Sequence, residues 1–413
     1  MSVAGAKNSV LKLLAATLLA PGEYLLRNVP AIADVEWMGE LLENMGCIVE
    51  RPEARALRVV RPETITPEAP YELVERMRAS IVVLGPLLAS ERRARVSMPG
   101  GDDFGSRPID MHLRGLEALG ARLVIRHGYV EGETSGLVGT CIVLDYPSVG
   151  ATENALMAAV LAKGTTVIDN AAREPEIWDL ASFLNRMGSR IVGAGSSTIT
   201  VEGVERGELS GVEHTVVPDR VEAATYLTAV AVAGGELTVR GARPDHMDMF
   251  IAKLGDMGVR ISPDPDGIWA MAPRRLRSID VATLPYPGVA TDYKPFFTTM
   301  LAVADGVGIV TENIFKGRFR YVDELVRMGA DIRTDDHHAI VRGVERLSGA
   351  PVRAHDIRAG AAVVIAGLAA EDETVVHDAH HIARGYEDLA ATLRSVGADI
   401  EAIPSERRRD DRR

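Results

Sequence analysis

Cysteine is nearly absent from this chain: Cys47 and Cys141 are the only two among 413 residues. Two cysteines do not make a disulfide framework, and neither sits in a metal-binding spacing, so a reducing cytoplasmic setting is expected. Basic excess is also lacking. The formal net charge is −12, which leaves no positive field for nucleic acid. Any anionic substrate must therefore be held by a few local arginines and lysines. No segment approaches the roughly 18–20 uninterrupted apolar residues of a membrane span. The apolar run Leu13–Ala20 is too short for one and lacks a signal-type cleavage site, so it reads as a buried helix. Missing too are a Gly-x-x-x-x-Gly-Lys-Ser/Thr phosphate loop, a Gly-x-Gly-x-x-Gly turn after a first strand, and a Gly-x-Ser-x-Gly elbow. His377 and His381 lie four apart but follow a strand-like run, without the glutamate of a His-Glu-x-x-His metal site.

What is present is repetition. A helical pattern ends six times in leucine-x-x-(Met/Leu/Val)-Gly followed by an apolar strand, with the glycines at 46, 120, 188, 258, 329 and 397. Upstream of each phrase comes a helix of small residues, such as Ala223–Ala233, then a short strand. Those helices lack a polar stripe, which predicts burial on every face. The unit is helix, strand, helix, strand, plus a return strand. Six units exceed one core, so two three-unit domains with a cleft between them are expected. The crossover is placed near Val217-Pro218-Asp219-Arg220.

Two features could carry chemistry. Charged or capping residues recur just before the small-residue helices: Lys7-Asn8, Arg78, Thr152-Glu153-Asn154, Asp219-Arg220, Asp292 and Arg358. N-capping accounts for Asn154 and Asp292. It does not account for Lys7, Arg78 and Arg358, because a cation at a helix N-terminus opposes the helix dipole. Three such violations point to an anionic ligand in the cleft. The second feature is the stretch Pro99-Gly100-Gly101-Asp102-Asp103-Phe104-Gly105-Ser106-Arg107-Pro108-Ile109-Asp110. Its glycines and charges suit a loop that closes over an anion, and they equally suit a surface turn.

These motifs, with Gly5-Ala6-Lys7-Asn8, Pro147-Ser148-Val149-Gly150-Ala151-Thr152-Glu153-Asn154, Asn170-Ala171-Ala172-Arg173-Glu174-Pro175-Glu176, Pro218-Asp219-Arg220, Thr291-Asp292, Thr311-Glu312-Asn313 and Arg384-Gly385-Tyr386, resemble the UDP-N-acetylglucosamine 1-carboxyvinyltransferase family from residue 2 to about residue 400. The resemblance implies an α/β fold of two inside-out barrels, each of three βαβα-type repeats. The implied domains are residues 7–217 and residues 1–6 with 218–403, followed by a disordered charged tail, 404–413. It implies a cytoplasmic transferase, a monomer or weak homo-oligomer without membrane insertion. The reaction moves the enolpyruvyl group of phosphoenolpyruvate onto the 3-hydroxyl of UDP-N-acetylglucosamine, releases phosphate and needs no metal or other cofactor. It opens peptidoglycan precursor synthesis, on which cell-wall growth, cell shape and cell division depend.

Carried over by motif, Lys7, Arg78, Arg107, Arg358 and Arg384 would hold phosphoenolpyruvate. Asn8, Ser148, Val149, Gly150, Asp292 and Ile314 would contact the UDP-sugar, with the segment Pro108, Ile109, Asp110 and Met111. Asp292 would take the 3-hydroxyl proton, and Asp102 would deliver one to the methylene carbon; Lys7 and Arg384 complete the catalytic set. Four departures stand out. Asp102 replaces the family's usual cysteine, whose thiolate fosfomycin alkylates, so an insensitive enzyme is expected. Ala383 replaces an aspartate and Lys294 a glutamine. The chain also opens within the family's usual second strand, and an exposed sheet edge is expected where the first would pair. The alternatives are a related enolpyruvyl transferase with another nucleotide acceptor in a natural-product pathway, and a non-catalytic nucleotide-sugar-binding homologue.

Overall fold

The six repeat glycines share one backbone conformation. In the computed structural model, which describes residues 1–100, 108–315 and 317–403, their φ angles lie between +89° and +122°. An L side chain rarely adopts that region, whereas glycine enters it freely. At Gly46 an added Cβ would meet nothing within 4 Å, so conformation and not crowding selects glycine there. The first five stop a helix and turn the chain into the next strand, whereas Gly397 follows Leu389–Arg394 with no strand after it among the described residues.

Each unit then builds a small sheet. In one, Val281–Ala282 pairs parallel with Val307–Thr311, which pairs antiparallel with His338–Arg342, which pairs antiparallel with Asp331–Asp335. The sheets that start from Gly22–Arg27, Arg93–Ser97 and Thr165–Asp169 repeat this order. Beside Glu236–Arg240 the parallel position is taken by the N-terminus: Ser2 bridges Arg240, and the Arg240 N–H donates to the Met1 carbonyl at 2.7 Å. The sixth unit has only two-stranded parallel ladders among the described residues, Leu347–Ser348 with Ala370–Glu371 and Pro351–Arg353 with Val375–His377. Strand burial alternates, as in Thr165–Asp169 and Val307–Thr311, so one face of each sheet looks inward and the other meets solvent.

The small-residue helices fill the interior. Arg220–Ala233, Lys294–Ala302 and Ile357–Leu368 pack on one another. Leu84–Glu91 packs on Val149–Ala159, while Lys7–Ala16 lies against Ala33–Asn44 and Pro175–Met187. Helices inside and sheets outside are the arrangement the all-round apolar pattern predicts. The run at residues 13–20 is buried throughout, as a helix continuing into a 3-10 turn. Buried apolar residues form two clusters, one within 10–216, the other made of Val3 and residues 221–393. The chain passes between them twice, and the crossings touch: Ala6 N–H donates to Val217 O at 2.7 Å and Asp219 N–H to Ala4 O at 2.8 Å.

Candidate active site

A cavity of about 590 Å³ lies where the helix N-termini of both clusters meet. It receives the first residues of Lys7–Ala16, Val149–Ala159, Arg220–Ala233 and Ile357–Leu368, together with the 3-10 turns Arg78–Val83 and Thr291–Tyr293. A second groove, about 530 Å³, lies on the outer face of the sheet containing Arg93–Ser97. Its half-buried Arg95 and exposed Arg122 are matched to Glu68, Glu131 and Glu133, so it has the character of a solvated surface.

Among the residues expected from the sequence, Lys7, Asn8, Arg78, Pro108 and Met111 line the cavity, as do Ser148, Val149 and Gly150. So do Asp292, Ile314, Arg358 and Arg384. Ile109 and Asp110 do not: Ile109 is packed in the first core cluster, and Asp110 pairs outward with Arg114 at 2.7 Å. Asp102 and Arg107 lie outside the described residues, as does the 404–413 tail.

The capping expectations need correction. Ser148, Asp219 and Asp356 cap small-residue helices; Ser148 accepts from Ala151 N–H, Asp219 from Val221 and Glu222, Asp356 from Arg358 and Ala359. Asn154 is instead interior to Val149–Ala159 and fully buried. Its Oδ1 accepts from Gly85 N–H at 2.8 Å, and its Nδ2 reaches Ile81 O at 3.1 Å and His112 Nδ1 at 2.8 Å. Burial, helped by Arg78, brings the His112 pKa down to about 4, so the ring is neutral. Gly150 makes room for it, since a Cβ there would stand 2.8 Å from the ring. Asp292 caps no helix either; it is an ion-pair partner.

Two carboxylates organise the cations. Asp34 is buried between Lys7 Nζ at 2.8 Å and Arg384 Nε at 2.9 Å. Burial alone would raise its pKa, but those two charges hold it below the ordinary value. Asp292, with 27% of its side chain open to the cavity, meets Arg318 Nη1 at 3.0 Å and Arg358 Nε at 3.6 Å. Burial again pushes its pKa up, and Arg318, Arg358 and Lys7 outweigh it, so Asp292 stays firmly ionised. Arg358 Nη1 is buried and has no hydrogen-bond partner among the described residues. A buried guanidinium N–H without an acceptor is costly.

Asp34 and Arg318 were not apparent from the sequence, and Glu312 stood in the Thr311-Glu312-Asn313 motif without a role. Asp34 looks like an ordinary first-turn acid of Ala33–Asn44, and Arg318 follows a recognisable Thr-Glu-Asn motif without belonging to it. Glu176, which closes the Asn170–Glu176 motif but was given no role there, pairs with Arg220 through both carboxylate oxygens at 3.0 and 3.3 Å. Glu153, assigned to the cation-and-cap set, is a buried acid whose oxygens lack hydrogen-bond partners among the described residues, with Lys12 Nζ at 3.7 Å. Burial raises its pKa to about 8. Among the described residues no group of three or more histidine, cysteine or acidic side chains could hold a metal. Nor is any helix among them long and apolar enough to cross a membrane.

Comparison with known proteins agrees with this geometry. Residues 1–393 match EPSP synthase (3-phosphoshikimate 1-carboxyvinyltransferase). A UDP-N-acetylglucosamine 1-carboxyvinyltransferase of Corynebacterium jeikeium is 51% identical over 403 residues, 98% of this chain and 96% of that protein. A UDP-N-acetylglucosamine 1-carboxyvinyltransferase 1 of Symbiobacterium thermophilum is 51% identical, with coverages of 97% and 92%. The crystal structure of the enolpyruvyl transferase NikO from Streptomyces tendae superposes with a TM-score of 0.88 at 27% identity, covering 97% of this chain and 94% of that one. EPSP synthase from Acinetobacter baumannii, at 18% identity and TM-score 0.74 over 98% and 97% of the chains, shares the fold. With that fold, that identity and a cation-lined cleft between its two cores, the chain belongs to the EPSP synthase family of carboxyvinyltransferases.

Proposed function

We propose that the protein transfers the enolpyruvyl group of phosphoenolpyruvate to the 3-hydroxyl of UDP-N-acetylglucosamine and releases phosphate. The observation that carries this reading is the convergence of Lys7, Arg358 and Arg384 on one cavity, around two carboxylates. A small doubly anionic substrate suits such a cluster: its phosphate and carboxylate supply the acceptors that the open Arg358 N–H lacks. Arg78 stands beside it, near the Pro108 carbonyl at 3.5 Å. The N-terminal turn of Val149–Ala159 supplies N–H donors on the same cavity for the nucleotide, and Ile314 an apolar surface.

In this scheme Asp292 accepts the acceptor's 3-hydroxyl proton as that oxygen bonds the central carbon of phosphoenolpyruvate. The methylene carbon takes a proton from an acid, a role we assign to Asp102 from the sequence. The tetrahedral adduct then returns a methyl proton to the conjugate base of that acid and expels phosphate, which restores the double bond. Asp292 held by two arginines is a weak base. Phosphoenolpyruvate competes for Arg358, frees one side of the carboxylate and raises its proton affinity when the base is needed. The cations stabilise the charge that builds up on the adduct.

The similarity pattern supports this acceptor: identity is 51% to proteins named for UDP-N-acetylglucosamine and 27% to NikO. We place the domains at residues 7–217 and at 1–6 with 218–403, in line with the two apolar clusters. We assign the enzyme to the cytoplasm, as a monomer or weak homo-oligomer. Phosphate release on mixing the purified chain with phosphoenolpyruvate and UDP-N-acetylglucosamine tests the proposal. Release with another nucleotide but not with this one would move the acceptor assignment elsewhere.

A further inference from the structure

Lys294 has no place in the scheme above, yet it stands two residues after Asp292 in the chain with its ammonium buried. We infer that Lys294 is a positioning residue for the reaction, holding at once the Asn313–Phe315 wall of the cavity and the arginine that grips Asp292. The inference rests on the functional reading for the identity of the reaction and on geometry for everything else.

Lys294 opens the Lys294–Ala302 helix, where a cation opposes the dipole, and its side chain is wholly buried. A buried ammonium costs several kcal/mol unless its donors are met. Here Nζ lies 3.0 Å from Glu312 Oε2, donates to the Arg318 carbonyl, and sits 4.0 Å from the centre of the Phe319 ring. Each of its two polar partners leads to the cavity. Glu312 Oε1 accepts from the Ile314 and Phe315 backbone N–H groups at 2.8 and 3.2 Å and from Thr283 Oγ1 at 2.7 Å. Its Oε2 also accepts from Thr291 Oγ1 at 2.6 Å. Glu312 therefore fixes the wall that faces the nucleotide and the residue next to Asp292. Arg318, the second partner, donates from Nη1 to both Thr291 Oγ1 and Asp292 Oδ1 at 3.0 Å. Lys294 itself does not line the cavity. Its effect must pass through these two neighbours.

The pair is also sensitive to pH. Burial and Arg318 lower the Lys294 pKa, Glu312 and Asp356 push back, and the balance lies at about 8. Tyr321 faces the ammonium as well, 5.9 Å from its ring centre, and burial keeps that phenol neutral. Above pH 8 the ammonium loses its charge, and Glu312 loses the counter-charge that holds it ionised.

The test is steady-state phosphate release by the full chain between pH 6.5 and 9.5, for wild type, Lys294→Met and Lys294→Gln, with thermal melts of each. Lys294→Met is expected to raise KM for UDP-N-acetylglucosamine and lower kcat, together by about 10- to 100-fold in kcat/KM. KM for phosphoenolpyruvate should move less than about 3-fold, since its cations are bound elsewhere. Lys294→Gln, which can still donate a hydrogen bond, should recover most of the KM. Wild type should show an alkaline limb near pH 8 that both variants lack. Should Lys294→Met fail to fold, Lys294→Gln and the pH profiles decide. Variants with lowered melting temperature but wild-type kinetics and an intact alkaline limb would overturn the inference alone. A wild type that releases no phosphate with this substrate pair would overturn the functional reading and the inference with it.

Discussion

Glu176 with Arg220, and Asp292 with Arg358 and Arg318, are two acid–arginine groups lining the same cavity, built from the same residue types. In the first, both carboxylate oxygens meet one guanidinium, that guanidinium also reaches Tyr293 Oη at 3.4 Å, and no side-chain nitrogen or oxygen of the pair is buried without a partner. In the second, one carboxylate is shared between two arginines at 3.0 and 3.6 Å, a quarter of it faces the cavity, and Arg358 keeps an unmet N–H. A saturated pair ties the first core to the second, since Glu176 belongs to Pro175–Met187 and Arg220 to Arg220–Ala233. The unsaturated group is the one to which the proposed reaction brings its substrate. Composition does not separate the two; the count of donors against acceptors does.

Substitutions sharpen that contrast. The largest effect is expected for Asp292→Asn, which keeps a hydrogen-bond acceptor for Arg318 but removes the base: turnover should fall by about 10²–10⁴-fold. UDP-N-acetylglucosamine binding, measured by calorimetry, should change little. Arg358→Ala should reduce kcat/KM by about 10²–10³-fold, with Arg358→Lys recovering only part because an ammonium lacks the planar fork. The same deletions in the saturated pair should read out as stability. Glu176→Gln leaves Arg220 buried without its counter-charge, at a cost of about 3–5 kcal/mol in denaturant unfolding. A loss below about 1 kcal/mol there would mean that the two groups are not different in kind.

The smallest effect concerns Glu153, the acid with a lysine near but not on it. Its pKa rises from about 4.5 unfolded to about 8 in the fold, so between those values the native state holds a proton that the unfolded chain has lost. Stability should therefore fall as pH rises from about 4.5 to about 8 and level off beyond. Glu153→Gln should remove that slope, so its melting temperature should exceed wild type by more at pH 8 than at pH 5.5. Parallel melting curves against pH would contradict the assignment.

The contrast also marks how far the sequence could be read. The repeat was legible because glycine at a left-handed turn and an apolar pattern without a polar stripe are local signals. Lys7, Arg78 and Arg358 were legible because a cation at a helix start breaks a local rule. Asn154 and Asp292 were misread as caps, since a cap and a buried hydrogen-bonding residue share the same residue types; only the true helix starts, at Val149 and Lys294, separate them. Asp34 was invisible for a related reason. Its partners Lys7 and Arg384 are 27 and 350 residues away, and no local pattern records a pairing made by tertiary folding. Lys294 was noticed only as a departure from the family; what it touches had to be seen.

The most direct measurement is phosphorus NMR of the wild-type chain with phosphoenolpyruvate and UDP-N-acetylglucosamine, with the product analysed by mass spectrometry. Inorganic phosphate should appear in step with a UDP-sugar carrying an enolpyruvyl ether at the 3-oxygen, and Asp292→Asn should suppress both signals together. Unchanged phosphoenolpyruvate and UDP-N-acetylglucosamine in the wild-type sample, or phosphate formed without the ether, would contradict the proposed reaction.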